Sequence, residues 1–344
     1  MPPLIDTLDL FGTAYALADQ VDAALASVED GIGGLPGADS VTSVLVIGMG
    51  GSGIAGDVLA AVAAPVAPVP IVVSKDYEVP GFVGEGTLVL AVSCSGDTEE
   101  TVAAATLAAQ AGAHLVAVSQ GGLLAELAHQ WAVPHVTVPG HLVMPRTAIG
   151  ALTVPMLAVL EDLGIHPGAR AEARAAAVQL RRRRDELTVS GNVAEVLARR
   201  IGRTLPLVYG GGPLGAIAAA RWKAELNENA KLPAFANRVP ELCHNEAAGW
   251  GQHGDVTRQV FTLVELRHDF EHPQVARRFE LVNELVLEVV ADLHEVWAEG
   301  DGPLAQLLDL SLVGTYTSLH LAADAGVDPG PIPALDWIKA NLGG

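Results

Sequence analysis

The 344-residue chain is predicted to fold as α/β, with two doubly wound parallel-sheet domains. Short apolar strands alternate with helical patterns, which is typical of parallel sheets covered on both faces. A glycine-rich loop follows a strand in each half. The two halves also resemble one another: LVIG at residues 45–48 answers LVYG at 207–210, and Gly53 answers Gly215 at the same offset. With 50% hydrophobic residues, the chain can bury two cores.

The domain boundaries follow from this rhythm. A helical lead-in over residues 1–40 contains one amphipathic helix at 15–29, whose apolar residues recur at helical spacing. The first α/β domain covers 41–165, a connecting helix 166–190, and the second α/β domain 191–344. Strands of the first domain are predicted at 44–47, 71–74, 87–92, 115–118 and 135–138.

In the second domain the pattern restarts after the connecting helix, whose periodic part is 170–187. Strands are predicted at 205–209, 260–266 and 295–298, and helices at 215–228, 274–290 and 304–325.

Composition excludes several function classes. The formal net charge of −20 argues against a nucleic-acid partner, and the arginines at 181–184 are interpreted as a solvated helix face. Cys94 and Cys243 show neither metal spacing nor a disulfide pattern, so we expect a reduced, cytoplasmic setting. The first ten residues lack the positive region of a signal peptide. The longest apolar run, 58–73, is broken by prolines and too short to span a membrane.

The first glycine loop, GMGGSGI at residues 48–54, follows a strand and opens a helix. Glycines let the backbone approach an anion, and the helix N-terminus offers free N–H groups. The same residues satisfy the dinucleotide pattern GxGxxG, and Asp76 lies where a ribose-binding acid belongs. This loop alone leaves a nicotinamide-dependent dehydrogenase and a phosphosugar protein equally open.

The second loop, SCSGDT at residues 93–98, favours the phosphosugar. Ser93, Ser95 and Thr98 converge where a helix begins, and hydroxyls together with N–H groups can coordinate phosphate oxygens. The alternative is an ordinary N-cap, but an N-cap needs a single hydroxyl.

These loops resemble those of the sugar isomerase (SIS) domain, and the whole chain resembles the bifunctional phosphoglucose/phosphomannose isomerases, which contain two SIS domains. The most specific stretches are NENAKLPAF at 227–235, PELCHNE at 240–246, and Gly249-Trp250. Pro145-Arg146 and Lys339 also fit. The resemblance implies interconversion of glucose 6-phosphate and fructose 6-phosphate, with no metal and no cofactor.

The resemblance also implies the site residues. Glu228 corresponds to the catalytic base, His244 to the ring-opening histidine, Lys339 to the lysine that assists it, and Arg146 to an active-site arginine. Phosphate contacts are implied for Gly51, Ser52, Ser93, Ser95 and Thr98. In this family the histidine acts across a subunit boundary, so a homodimer with shared active sites is expected.

The residue types suit the chemistry. Isomerisation opens the sugar ring and moves a proton between adjacent carbons through an enediol, for which a carboxylate and an imidazole serve as proton carriers. The alternative for Glu228 is a helix-surface glutamate like Glu225. No threonine stands between Gly326 and Lys339, where family members often carry one, so acceptance of mannose 6-phosphate stays open.

Two other functions remain open from the sequence. A SIS-domain protein could bind a phosphosugar without converting it, although such a sensor needs neither Glu228 nor His244. The dehydrogenase gives no reason for the hydroxyl loop at 93–98.

Overall fold

The computed structural model describes residues 5–140 and 142–342. The chain divides into two compact units. The first unit comprises Ala16–Arg181 together with Gly300–Ala305. The second unit comprises residues 5–15, Arg182–Glu299 and residues 306–342. The domain boundaries predicted from the sequence remain a proposal.

The chain begins with two short helices, α1 (Leu10–Tyr15) and α2 (Leu17–Ser27). The Asp6 carboxylate accepts the N–H groups of Leu10 and Phe11, at 2.9 and 3.0 Å, and so starts α1. The amphipathic helix predicted over 15–29 is confirmed as α2, and Ala16, with ψ near 3°, separates it from α1. The apolar face of α2 is buried as its periodicity predicts.

The first unit contains a five-stranded parallel sheet in the order β2-β1-β3-β4-β5. Its elements are β1 (Ser43–Ile47), α3 (Gly50–Ala63), β2 (Ile71–Ser74), β3 (Thr87–Val92), α4 (Glu99–Gln110), β4 (His114–Ser119), α5 (Gly122–Gln130), β5 (His135–Thr137), α6 (Ile149–Asp162) and α7 (Ala169–Leu187), which ends in the second unit. Strands β1 and β3 are buried at every position. The strand order reverses at β1, so the loops after β1 and β3 flank the crevice where open α/β sheets bind ligands.

Helix α6 was not predicted. Every residue from Ile149 to Leu160 is buried, and Pro155 lies inside the helix. A helix that is apolar on all sides shows no 3.6-residue period, so no amphipathic pattern marks α6 in the sequence.

The second unit contains a four-stranded parallel sheet in the order β7-β6-β8-β9. Its elements are α8 (Val193–Ile201), β6 (Leu205–Gly211), α9 (Gly212–Glu228), β7 (Phe235–Val239), α10 (Gly254–Val260), β8 (Phe261–Arg267), α11 (Pro273–Val286), β9 (Asp292–Trp297), α12 (Pro303–Ala325) and α13 (Pro333–Leu342). Strand β7 was missed because it is an edge strand whose residues are mostly exposed.

One charged residue departs from its predicted setting. The interpretation of residues 181–184 as a solvated face is wrong for Arg183, which is only 6% exposed. Its guanidinium donates to both carboxylate oxygens of Asp309 on α12, at 2.8 and 2.9 Å. Burial of this arginine is possible because the buried carboxylate neutralises it.

In both units, the end of the first strand packs closely against the helix that follows it, and a glycine stands on each side of this contact. In the first unit, a Cβ added to Gly53 would lie 2.7 Å from the Gly48 carbonyl oxygen. In the second, a Cβ added to Gly210 would lie 1.9 Å from the Gly215 carbonyl oxygen. These contacts leave no room for a side chain, so the internal repeat seen in the sequence is confirmed as a shared packing feature. Within residues 5–140 and 142–342, none of the helices combines the length and apolarity needed to cross a membrane.

Candidate functional site

The loop after β1 brings Gly51 against the segment that carries Arg146. A Cβ on Gly51 would lie 2.4 Å from the Pro145 carbonyl oxygen, so only glycine permits this approach. Arg146 is 7% exposed, and its guanidinium donates to the Met144 sulfur. The first N–H groups of an α-helix have no acceptor within the helix. Those of α3 therefore lie beside the segment that carries the buried Arg146.

Ser52 connects the two predicted phosphate loops. Its side chain is buried in the first turn of α3, and its hydroxyl accepts the Cys94 N–H at 3.2 Å. Residues 42 positions apart in the chain are thus joined directly. Cys94 itself is buried, and that burial raises the pKa of its thiol, which keeps it protonated and unsuited to nucleophilic chemistry.

The hydroxyls of Ser93 and Thr98 lie 2.9 Å apart. Thr98 occupies the N-cap position of α4, yet among the described residues its side chain caps no backbone N–H of that helix. The ordinary N-cap interpretation therefore does not account for this hydroxyl. Ser93 is fully buried and accepts the Gly96 N–H at 3.0 Å, which fixes the loop from its inner side.

Ser95 is the exposed member of the group. Its hydroxyl accepts the Asp97 N–H at 3.2 Å. Gly96, with φ of +86°, turns the chain so tightly that an added Cβ would lie 1.8 Å from the Gly121 carbonyl oxygen. Three hydroxyls consequently surround the start of α4, next to the start of α3, in an arrangement suited to an anion.

The structure thus brings the predicted phosphate residues together within the first unit. These residues are Gly51, Ser52, Ser93, Ser95 and Thr98, with Arg146 beside Gly51. Asp76, the candidate ribose acid of the dehydrogenase alternative, is exposed beyond β2, and its carboxylate accepts the Tyr77 N–H at 2.7 Å.

Glu228 is the last residue of α9 and is half-buried. The Lys231 ammonium donates to its carbonyl oxygen at 2.6 Å and to the Pro329 carbonyl oxygen at 3.1 Å. Lys231 adopts a positive φ of +55°, so the chain turns sharply just after Glu228. The description of Glu225 as a surface residue is wrong, since Glu225 is 3% exposed and pairs with Arg221 at 2.6 Å.

His244 ends the 3₁₀ turn Glu241–His244 and is exposed. Two residues further on, the Glu246 carboxylate accepts the Tyr209 hydroxyl and the Asn237 amide. Tyr209 and Asn237 were not singled out from the sequence. Aligning the two halves could have found Tyr209, because it replaces the apolar Ile47 at the corresponding strand position.

Lys339 lies on α13, a helix whose side chains are exposed from Leu335 onward. Glu228, His244 and Lys339 therefore belong to the second unit, on three separate elements: the end of α9, a 3₁₀ turn after β7, and the C-terminal helix.

Comparison with known proteins defines the class. A family model described as "SIS domain" matches residues 39–137, and one described as "Bacterial phospho-glucose isomerase C-terminal SIS domain" matches residues 190–342. The solved C-terminal domain of glucosamine-fructose-6-phosphate aminotransferase from Francisella tularensis shares the fold, with a TM-score of 0.70, 14% identity, and coverage of 94% of this chain and 97% of that one. The protein is thus built from two SIS domains.

Curated relatives narrow the class to one family. A bifunctional phosphoglucose/phosphomannose isomerase from Caldicellulosiruptor bescii is 32% identical over 97% of this chain and 98% of its own length. Another from Thermoplasma acidophilum is 32% identical over 88% of this chain and 90% of its own. The chain belongs to the family of bifunctional phosphoglucose/phosphomannose isomerases.

Proposed function

We propose that this protein interconverts glucose 6-phosphate and fructose 6-phosphate through an enediol intermediate. The observation that carries the proposal is the hydroxyl cluster of Ser93, Ser95 and Thr98 at the start of α4, joined through Ser52 to the start of α3. Such a site takes a phosphate monoester without needing a lysine. Family membership supplies the reaction class.

The proposed roles are phosphate binding and proton transfer. Gly51, Ser52, Ser93, Ser95 and Thr98 hold the phosphate, and Arg146 contributes positive charge near the developing anion. Glu228 moves the proton between the two carbons, while His244 carries the ring-oxygen proton with help from Lys339. Glu228 and His244 would each take up and return a proton during the reaction, and no external oxidant or reductant is needed.

A coupled assay tests the proposal. Purified protein is given fructose 6-phosphate without added metal or nucleotide, and glucose 6-phosphate is read out by an auxiliary dehydrogenase. Steady conversion is expected. Binding of the sugar phosphate without conversion would instead support the sensor alternative, and consumption only after nicotinamide is added would support the dehydrogenase.

Mannose 6-phosphate is a separate question for the same site. The relatives are named for both sugars, but the segment before Lys339 lacks the threonine noted above. Running the assay with mannose 6-phosphate, in parallel with glucose 6-phosphate, gives the epimer preference as a ratio of kcat/KM values.

The proposal includes a homodimer in which His244 completes the partner's site. His244 is exposed, as is α13 with Trp337 at 68%, so both are accessible to another subunit. Refolding a mixture of inactive Glu228→Gln and His244→Ala chains should restore activity, because one site of each mixed dimer would combine both intact residues. A flat mixing curve with mixed dimers present would eliminate the shared site.

A cytoplasmic location belongs to the same proposal. It is supported by the two free cysteines, of which Cys94 is buried and Cys243 half-buried, since free thiols suit a reducing compartment. Fractionation of the native cells with antibody detection tests it.

A further inference from the structure

We propose that Glu246 is a positioning residue for His244, acting through Tyr209 and Asn237. This inference rests on the proposed function, because it concerns the histidine that opens the sugar ring there. It assigns a role in the reaction to three side chains that would not touch the substrate.

The segment that carries His244 has little regular structure of its own. It consists of two short 3₁₀ turns, Glu241–His244 and Glu246–Gly249, separated by Asn245. Such turns have poor hydrogen-bond geometry and are short-lived without tertiary contacts. Leu242 is fully buried and anchors the first turn, but His244 and Asn245 are exposed. The orientation of His244 therefore depends on what holds the chain just after it.

Glu246 supplies that hold. Its Oε1 accepts the hydroxyl of Tyr209 on β6, and its Oε2 accepts the amide of Asn237 on β7 at 2.5 Å. The indole N–H of Trp250 donates to the Tyr209 oxygen at 3.3 Å. The carboxylate is thus bonded to two adjacent strands, and the far end of the segment is bonded to the same tyrosine.

Tyr209 is a rigid donor. It is fully buried in the core of the second unit, and burial, reinforced by the Glu246 charge, raises the pKa of its phenol. The hydroxyl therefore stays protonated and keeps donating. A charge-assisted bond of this kind is about twice as strong as a neutral one.

Packing does not explain the hydroxyl. The matching residue of the first unit is Ile47, which is equally buried and has no polar atom on its side chain. A buried hydroxyl costs free energy unless it is paired, so its presence here indicates a use that the first unit lacks. The use visible in the structure is the bond to Glu246.

The consequence for catalysis is geometric. Only Asn245 separates Glu246 from His244, so a displaced Glu246 shifts the imidazole. A displacement of about 1 Å at a reacting group can cost about 10²-fold in rate. Substrate binding should change much less, because the proposed phosphate contacts are made by other residues, Ser93, Ser95 and Thr98 among them.

A double-mutant cycle tests this coupling. We expect Glu246→Ala and Tyr209→Phe to lower kcat by about 10²-fold and about tenfold, with KM changing less than threefold. The Glu246→Gln variant keeps the side-chain size and one acceptor, and should recover most of the loss. In a His244→Ala background, both substitutions should cost less than threefold further. Glu284→Gln, which changes an exposed carboxylate on α11 of the same unit, serves as the matched control and should stay within twofold.

The inference is overturned if Glu246→Ala leaves kcat intact, or if it costs the same factor with and without His244. Failure of the proposed function would be recognised separately, as a wild-type protein without isomerase activity. The positioning role can then still be tested by NMR, from the imidazole signals of ¹⁵N-histidine-labelled protein. Those of His244 should shift or broaden in Tyr209→Phe, which removes a single oxygen, and stay in place in Glu284→Gln. Unmoved His244 signals would overturn it.

Discussion

The two units have the same strand order around their central strands but different residues at the ends of those strands. In each, the first strand of the unit pairs on both sides, as in β2-β1-β3 and β7-β6-β8. In each, a strand-end glycine packs against a helix glycine. The close approach of strand and helix is therefore a packing requirement that both units share. The chemistry depends on a few neighbouring positions at which the two units differ.

The first difference lies inside the sheets. Ile47 is aligned with Ala91 across β1 and β3, and the matching pair across β6 and β8 is Tyr209 with Glu265. The first unit therefore has an apolar sheet centre, and the second has a buried hydroxyl and a buried carboxyl. This buried polar pair of the second unit has no counterpart at the aligned positions of the first.

The second difference lies in the loop that follows the central strand. Ser93 of the first unit corresponds to Arg267 of the second, whose guanidinium bonds the Glu271 carboxylate at 2.9 Å. That carboxylate lies against the first glycine loop of its unit, where a Cβ on Gly211 would be 2.5 Å from Glu271 Oε1. The second unit thus contains its own anion and cation at this place, whereas the first has hydroxyls, to which we assign the phosphate.

The largest effect is expected at Glu228, the proposed base of the second unit. Glu228→Gln keeps size and hydrogen bonding but removes the proton acceptor, so turnover should fall by about 10²–10⁴. Phosphosugar affinity should be nearly unchanged, because the substitution leaves the proposed phosphate contacts of Ser93, Ser95 and Thr98 intact. A stopped assay measures the turnover number, and calorimetry measures the phosphosugar affinity.

The control for that substitution is Glu284→Gln, which neutralises an exposed helix glutamate on α11 of the same unit. It should leave turnover intact. Solvent deuterium incorporation into the substrate at the wild-type rate in Glu228→Gln would show that another group moves the proton.

The next effect concerns the buried carboxyl of the second unit. Burial raises the pKa of Glu265 to about 7, and its Oε1 has no hydrogen-bond partner among the described residues. The unfolded chain loses this proton near pH 4.5. Between these values the folded state binds more protons, so stability falls as pH rises, by up to about 3 kcal/mol in total.

Glu265→Gln should remove that dependence. The variant should be more stable than wild type at pH 8 and lose less stability between pH 5 and pH 8, measured as the free energy of unfolding in urea. Glu284→Gln again serves as the control and should keep the wild-type slope. Parallel slopes for wild type and Glu265→Gln would contradict the assignment. The first unit has Ala91 at the aligned position, which carries no ionisable group.

The sequence predicted the first sheet well because its strands are continuous apolar runs closed by glycines. It missed β7, since an exposed edge strand such as 235–239 has neither an apolar run nor strict alternation. It placed the hydroxyl loop correctly, but the contact between Ser52 and Cys94 joins positions 42 residues apart and has no local signal. The Tyr209–Glu246 bond also joins positions far apart in the chain. The replacement of Ile47 by Tyr209 at the matching position could have singled out the tyrosine but not its partner.

The smallest effect is expected from removing hydroxyls of the proposed phosphate loop in the first unit. Replacing Ser95 and Thr98 by alanine removes two hydroxyls from the first unit, and each hydrogen bond to a charged group contributes about 1.5–3 kcal/mol. We expect fructose 6-phosphate to bind about tenfold weaker per hydroxyl. Loss of the exposed Ser95 hydroxyl should cost little stability, whereas Thr98→Ala also removes the partner of the buried Ser93 hydroxyl and should cost about 1–3 kcal/mol. The matched control is Thr106→Ala on the same helix, whose hydroxyl donates only to the Val102 carbonyl oxygen at 2.8 Å. Unchanged affinity in the double variant, measured by calorimetry, would remove the phosphate from this loop and with it the difference in anion binding between the two units.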